Sequence, residues 1–249
     1  MPNIRDLARG RALIIAMVAV ASPVISVFGQ THPSLGGQGE RRVVAESRFA
    51  VTNAHLQSEM VQLVVDFPPG SWTSWHTHGG QAINLVLEGE ITLRNAGMEQ
   101  PYGAGQAWTD STGHVHAAGN TGSGRARLLT NFLLPKGAPQ TTAVQESKFE
   151  PTIVHEARFP VPTLPAETEI VQQIVDLPSG WRAELTSVGF MANMVVAGDV
   201  AFKIGMEQNE YKVGEAWWAL AGTLITEENR SAGAARVFTT YLLPKGTSR

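Results

Sequence analysis

The sequence predicts an all-β protein built from two tandem copies of one barrel or sandwich. Three observations carry this. The chain repeats itself once after residue 45, each copy is a succession of short apolar or alternating runs broken by turn residues, and no long helical stretch follows the leader.

The leader differs from everything after it. Arg5, Arg9 and Arg11 precede an apolar run from Ala12 to Ala21, continued beyond Pro23 by Val24 to Phe28. That pattern reads as a secretory signal peptide over residues 1–29, with cleavage expected after Gly29 or Ala21. The alternative is an uncleaved anchor helix, which the Ser22-Pro23 break disfavours. The expected location is therefore the periplasm or the medium, with no stable membrane span after processing. The chain has no cysteine, which fits export without a disulfide framework and removes thiolates as ligands. A net charge of -3 argues against nucleic acid as a partner, because phosphate contact needs a basic face. Residues 30–45, Gly-rich and polar at their start, read as a linker.

The repeat then sets the organisation. Glu46-Ser-Arg-Phe49 recurs as Glu156-Ala-Arg-Phe159, and Val64-Val-Asp66-Phe-Pro-Pro-Gly70 as Ile174-Val-Asp176-Leu-Pro-Ser-Gly180. Gly97-Met-Glu-Gln100 recurs as Gly205-Met-Glu-Gln208, Ala107-Trp108 as Ala216-Trp217, and Leu133-Leu-Pro-Lys-Gly137 as Leu242-Leu-Pro-Lys-Gly246. Solenoids need three or more short repeats, so two long ones mean a duplicated domain. The first copy is expected over 46–137, a connection over 138–155 and the second copy over 156–249. Within the first copy, Gln62 to Phe67, Ala82 to Leu87, Glu90 to Arg94 and Arg127 to Leu134 read as strands. Glu88-Gly89 and Ala96-Gly97 mark tight turns.

The chemistry concentrates in two stretches. In Gly70-Ser-Trp72-Thr-Ser-Trp75-His76-Thr-His78-Gly-Gly-Gln81, two histidines stand two apart at the head of an alternating run, so both rings share one face of a strand. The second stretch, Gly105 to Asn120, holds His116 and, two residues earlier, His114. Three convergent imidazoles suffice to hold a divalent ion with open positions. His114 is a candidate catalytic residue, as proton shuttle or fourth ligand, and stands equally well as a solvent-facing side chain. Trp72 and Trp75 flank the ligands and are candidate walls of a substrate pocket, as is Asn84. The persistence of Asn84 as Asn193 in the other copy also suits a structural hydrogen bond. Trp108, kept as Trp217, reads as core, and Asn120 as a turn residue. His32, His55 and His155 match no pattern.

These residues resemble the cupin superfamily. Its first motif, a Gly followed at fixed spacing by His-x-His and a later Gly, is matched by Gly70, His76, His78 and Gly89. Its second is matched by Gly105, Gly113, His116 and Asn120, with Ser111 where proline is usual. The resemblance covers both copies and implies a bicupin: two jelly-roll barrels, with a metal held by His76, His78 and His116 in the first. The superfamily's metal-binding glutamate falls at Ala82, so a carboxylate ligand is missing unless the neighbouring Gln81 turns inward. In the second copy the three histidine positions hold Leu185, Ser187 and Ile225, which predicts one metal per chain.

A His-only site leaves the ion's charge uncompensated and favours a small-molecule substrate that is anionic on binding. The resemblance extends to three-histidine, quercetin-dioxygenase-like oxygenases. It implies a metal-dependent oxidoreductase acting on a small enolisable or phenolic compound, with His114 or Gln81 taking a proton. Iron is the expected metal, with Mn, Ni, Cu and Zn as alternatives. The competing readings are a non-catalytic metal or small-molecule binder and a cupin isomerase, lyase or decarboxylase. A homo-oligomer is compatible with each.

Overall fold

A computed structural model describes residues 39–52 and 57–247, and its described part contains strands and turns but no helix. The leader, His32 and His55 lie outside these residues. The strands are β1 (Arg42–Ala50), β2 (Ser58–Phe67), β3 (Trp75–Thr77), β4 (Gln81–Glu88), β5 (Glu90–Asn95), β6 (Met98–Gly103), β7 (Ala107–Asp110), β8 (Ala117–Gly119), β9 (Ala126–Pro135) and β10 (Thr142–Gln145). The second copy continues with β11 (Thr152–Val161), β12 (Thr168–Leu177), β13 (Arg182–Thr186), β14 (Phe190–Ala197), β15 (Val200–Ile204), β16 (Glu207–Tyr211), β17 (Ala216–Ala219), β18 (Leu224–Asn229) and β19 (Ala235–Pro244).

They form two jelly-roll barrels. In the first, the sheet β11-β2-β9-β4-β7 faces the sheet β6-β5-β8, and the ribbon β10-β3 lies beside the cavity. In the second, β1-β12-β19-β14-β17 faces β13-β18-β15-β16. Alternation along each strand builds three apolar layers. On β2, Val61, Leu63, Val65 and Phe67 point into the first barrel, packing on Ile91 and Leu93 of β5. The intervening Met60 and Val64 point outward, where Met60 meets Ile83, Ile170 and Phe190, and Val64 meets Leu85, Ile174 and Phe238. The outer faces of the two large sheets thus make a third core between the barrels. Truncating a residue of this layer such as Ile83, which is fully buried, to alanine costs about 2–5 kcal/mol.

Repeat-related glutamines cross this layer in matching fashion. Gln62 donates to the Ala192 carbonyl at 3.5 Å, and Gln172 to the Ile83 carbonyl at 3.0 Å. Outside the core, Asp66 pairs with Arg127 at 2.5 Å and Asp176 with Arg236 at 2.6 Å, the same bridge in each barrel.

Sheet membership does not follow chain order. The first strand of each copy adds to the sheet of the other barrel: β1 pairs with β12 from Arg42↔Asp176 to Ala50↔Glu169, and β11 pairs with β2 from Thr152↔Asp66 to Val161↔Ser58. Residues 42–45, within the stretch read as a linker, are already strand, and residues 138–155 carry β10 and the start of β11, both in the first barrel.

Candidate metal centre

β3 presents His76, and His78 follows directly after it. His76 and His116 face each other as an antiparallel bridge, with N–H···O distances of 2.9 and 3.0 Å in the two directions. The three ring centroids lie 4.4–4.8 Å apart and all three side chains are buried.

Each ring is held from behind by a backbone carbonyl: Nδ1 of His76 by Ser74 at 2.6 Å, of His78 by Gln140 at 2.9 Å and of His116 by His114 at 3.0 Å. A carbonyl oxygen only accepts, so each Nδ1 carries the proton and each Nε2 keeps its lone pair. Burial lowers all three imidazoles below the ordinary histidine range, His78 to about 3 and His116 to about 4. They are therefore neutral at pH 7, the form that binds a metal. The three Nε2 lone pairs together fit a divalent cation and no hydrogen-bond acceptor.

The motif reading missed Asp110. This carboxylate is buried at the end of β7, directly opposite Ala82 of β4. Its Oδ2 lies 3.5 Å from His116 Nε2 and accepts hydrogen bonds from Asn84 Nδ2 at 2.9 Å and Trp108 Nε1 at 3.0 Å. Burial pushes its carboxyl up to about 6, against the downward pull of the Trp108 hydrogen bond. The sequence did hold a signal. In the repeat register that takes Trp108 to Trp217, Asp110 becomes Ala219, so it disappears together with the three histidines.

The histidines and Asp110 line a cavity of about 360 Å³ whose wall is otherwise mostly apolar, with Leu63, Val65, Phe67, Leu128 and Phe132 prominent and, among the described residues, no Lys or Arg. Asn84 and Trp108 are both on this wall. The segment read as a connection closes one side of it with Thr141, Ala143, Glu150, Pro151 and Ile153. Ala143 of β10 pairs with His76, and the Glu150 carboxylate accepts from both the backbone N–H and the hydroxyl of Ser74. Gly79 permits the approach, because a Cβ there would run into the Pro139 carbonyl.

Three expected site residues lie elsewhere. Gln81 is on the opposite face of β4 from Ala82 and Asn84. Its amide donates to the Ala50 carbonyl and Thr109, and accepts from Thr52, so it cannot reach the rings. Trp75 alternates with His76 on β3 and faces away from the cavity, while Trp72 packs on Gly119 with the Arg94 guanidinium 3.6 Å above its ring. His114 is in a turn rather than a strand, so alternation does not aim it into the cavity. Its ring stacks beside His116 with centroids 5.9 Å apart, within reach of Asp110. Its backbone carbonyl, not its ring, orients His116.

The second barrel keeps the frame. Leu185 pairs with Ile225 as His76 does with His116, and both are packed in apolar core. Asn120 and Asn229 make matching local turns, each bonding a carbonyl across the barrel end and one four residues on. Among the described residues, both groups of side chains able to hold a metal lie in the first barrel.

Comparison with known proteins agrees with this geometry. Residues 63–132 match the cupin domain family. The HTH-type transcriptional regulator PuuR of Escherichia coli (strain K12) is 32% identical over 81 residues, which are 32% of this chain and 44% of the regulator, so the match spans less than half of that relative. Among solved structures, AerE from Microcystis aeruginosa aligns with TM-score 0.53 at 16% identity, covering 79% of this chain and 97% of that one. A Bacillus subtilis oxalate decarboxylase studied for its Mn(II) centres gives 0.55 at 12%, covering 89% and 78%. Vicilin from tomato (Solanum lycopersicum) gives 0.56 at 10%, covering 88% and 84%. These structural likenesses establish the fold. Residues 63–132 thus carry a cupin domain, and the whole chain has the two-barrel cupin fold, with a cluster fit for a divalent metal in the first barrel.

Proposed function

We propose that the protein is an exported, metal-dependent oxidoreductase of the dioxygenase type, acting on a small, largely apolar compound with one enol or phenol group. The observation that carries this is the cavity itself: three imidazole lone pairs meet in a mostly apolar chamber with no Lys or Arg on its wall among the described residues. His76, His78 and His116 would hold the ion, with iron the leading candidate. When bound it would supply Lewis acidity and a route for electrons. The chain's own groups do the rest. The apolar wall orients the substrate and excludes water, and Asn84 and Thr130 offer polar contacts. Export rests on the leader over residues 1–29.

The test is oxygen uptake by iron-loaded protein against a panel of diketones, flavonols and thiols, with His116→Ala as control. Uptake with stoichiometric product, lost in the variant, supports the reading. No uptake across the panel by protein that does hold iron overturns it. One observation keeps a second reading in play: Asp110 is a buried carboxylate beside the triad, which an isomerase or decarboxylase could use as a base. Its mark is product formation without oxygen. The cavity's lack of a cationic side chain counts against a small dianion as substrate.

A further inference from the structure

We infer that the second barrel holds a ligand of its own, a small monocarboxylate bound to the Arg41 guanidinium inside the barrel. The inference goes beyond the chemistry proposed for the first barrel and does not depend on it.

The charge leads to it first. Arg41 immediately precedes β1 and is buried, and its Nη2 donates to the side-chain oxygen of Gln173 at 3.2 Å. Its Nε–H is buried without a partner, and its guanidinium forms no ion pair among the described residues. The neighbouring carboxylates do not neutralise it. Glu46 accepts from Gln173 at 2.6 Å and pairs with Arg48 at 3.7 Å. Glu227 shares the inward face of β18 with Ile225 and is buried, which raises its carboxyl toward the neutral form against the pull of the Arg41 charge. A buried cation is costly without a counter-ion, so an anion belongs beside it.

The repeat shows where that anion would sit. Arg41, Gln173 and Glu227 stand where Pro151, Leu63 and Ala118 line the cavity of the first barrel. The wall that is apolar in one barrel is polar and charged in the other.

One rung of the sheet completes the site. Gln173 pairs with Thr239, Thr239 with Asn193 and Asn193 with Trp217, so these side chains share one face across β12, β19, β14 and β17. Both amide atoms of Asn193 and the indole nitrogens of Trp217 and Trp181 are buried without a partner. With Arg41 Nε, that makes five of the seven such atoms among the described residues. The other two, on Gln62 and Asn131, lie between the barrels. Four of the five are N–H donors, which an oxygen-rich ligand satisfies. In the first barrel the matching pair, Asn84 and Trp108, closes on one carboxylate oxygen of Asp110. Ala219 lacks that carboxylate, and its two donors remain. Trp181, Met191, Phe202 and Ile225 pack the space around, which limits the ligand to a few carbon atoms. One carboxylate cancels the guanidinium charge, whereas a dianion would leave a buried negative charge over.

The experiment uses the full chain after chelator treatment, so that no metal in the first barrel takes up the anion. Sodium formate, acetate and propionate are titrated by calorimetry, with sodium chloride as control, in wild type, Arg41→Met and His116→Ala. The NMR signal of the Arg41 Nε–H is followed through the same titration of the wild type, which needs no variant to fold. Saturable binding of at least one carboxylate is expected, with a shift of the Nε–H signal, unchanged in His116→Ala and weaker by about tenfold or more in Arg41→Met. No saturable binding by wild type, an unmoved Nε–H signal, or chloride bound as tightly as the carboxylates overturns the inference. Binding lost in His116→Ala and kept in Arg41→Met would move the anion to the first barrel and overturn it as well.

Discussion

Ala82 and Asp110 stand directly opposite each other across the β4–β7 ladder. The small side chain on β4 leaves the buried carboxylate on β7 with Asn84 and Trp108 as its donors. Burial raises that carboxyl to about 6, above its ordinary value of 3.8, so its charge costs stability as pH rises from 3.8 through 6. Asp110→Asn is expected to melt higher than wild type above pH 6, with the difference shrinking as pH falls toward 3.8, as thermal denaturation across that range would show. A difference that does not vary with pH would mean that burial does not penalise the charge.

Repeat mates should respond differently to the same change. Asn84 links Asp110 to Thr130, whereas Asn193 has no hydrogen-bond partner for either amide atom among the described residues. Asn84→Val is expected to destabilise by about 1–3 kcal/mol, because Asp110 and Thr130 each lose a buried partner. Asn193→Val is expected to be neutral or stabilising by about 1 kcal/mol, since it removes a buried unpaired group. Paired denaturant titrations read both values.

The connection between the copies orients a ligand. Gly79→Ala pushes the Pro139 segment away and with it the Gln140 carbonyl that fixes His78. Metal affinity should fall by about 10–100-fold, the usual effect of losing a group that orients a ligand. Calorimetric titration with Zn(II) checks this.

Acid sensitivity follows from the repeated surface bridge. The Arg127 hydrogen bond holds the Asp66 carboxyl below its ordinary value of 3.8. At Asp176, burial pushes up, but the Arg236 and Arg42 hydrogen bonds outweigh it. A lowered folded value means that the stabilisation is complete above pH 3.8 and is lost as pH falls through the folded value. The melting temperature of Arg127→Met should lie below wild type at pH 6, with the gap closing as pH falls below 3.8. A gap independent of pH would mean that the bridge contributes only packing.

The β5–β6 hairpin turns on Ala96 (φ 42°) and Gly97 (φ 81°), both in the left-handed region. Ala96→Asn should raise stability by about 1 kcal/mol, because Asn tolerates that conformation better. Thermal denaturation is the check.

The histidine triad was legible because its determinants are local: a His-x-His at a strand and a third His at motif spacing. The duplication was legible because both copies remain in one chain. Asp110 was not picked out, since its partners Asn84 and Ala82 are brought to it by a strand pairing that the motif does not encode. Gln81 and Trp75 fell on the wrong side for one reason, namely that neighbours along a strand face opposite ways. The mouth of the cavity was hidden because residues 138–155 contain few apolar runs, and their strand pairing with β3 and β2 is long-range.

The crossed first strands carry a consequence for the chain's history. β11 belongs to the second copy, yet it forms the edge of the sheet that bears the metal-binding barrel, and β1 does the reverse. The carboxy-terminal half lacks the histidines at the matching positions, but deleting it would expose the flank of the metal-binding half. The second barrel thereby braces the first, and a cut along the repeat boundary would take an edge strand from each.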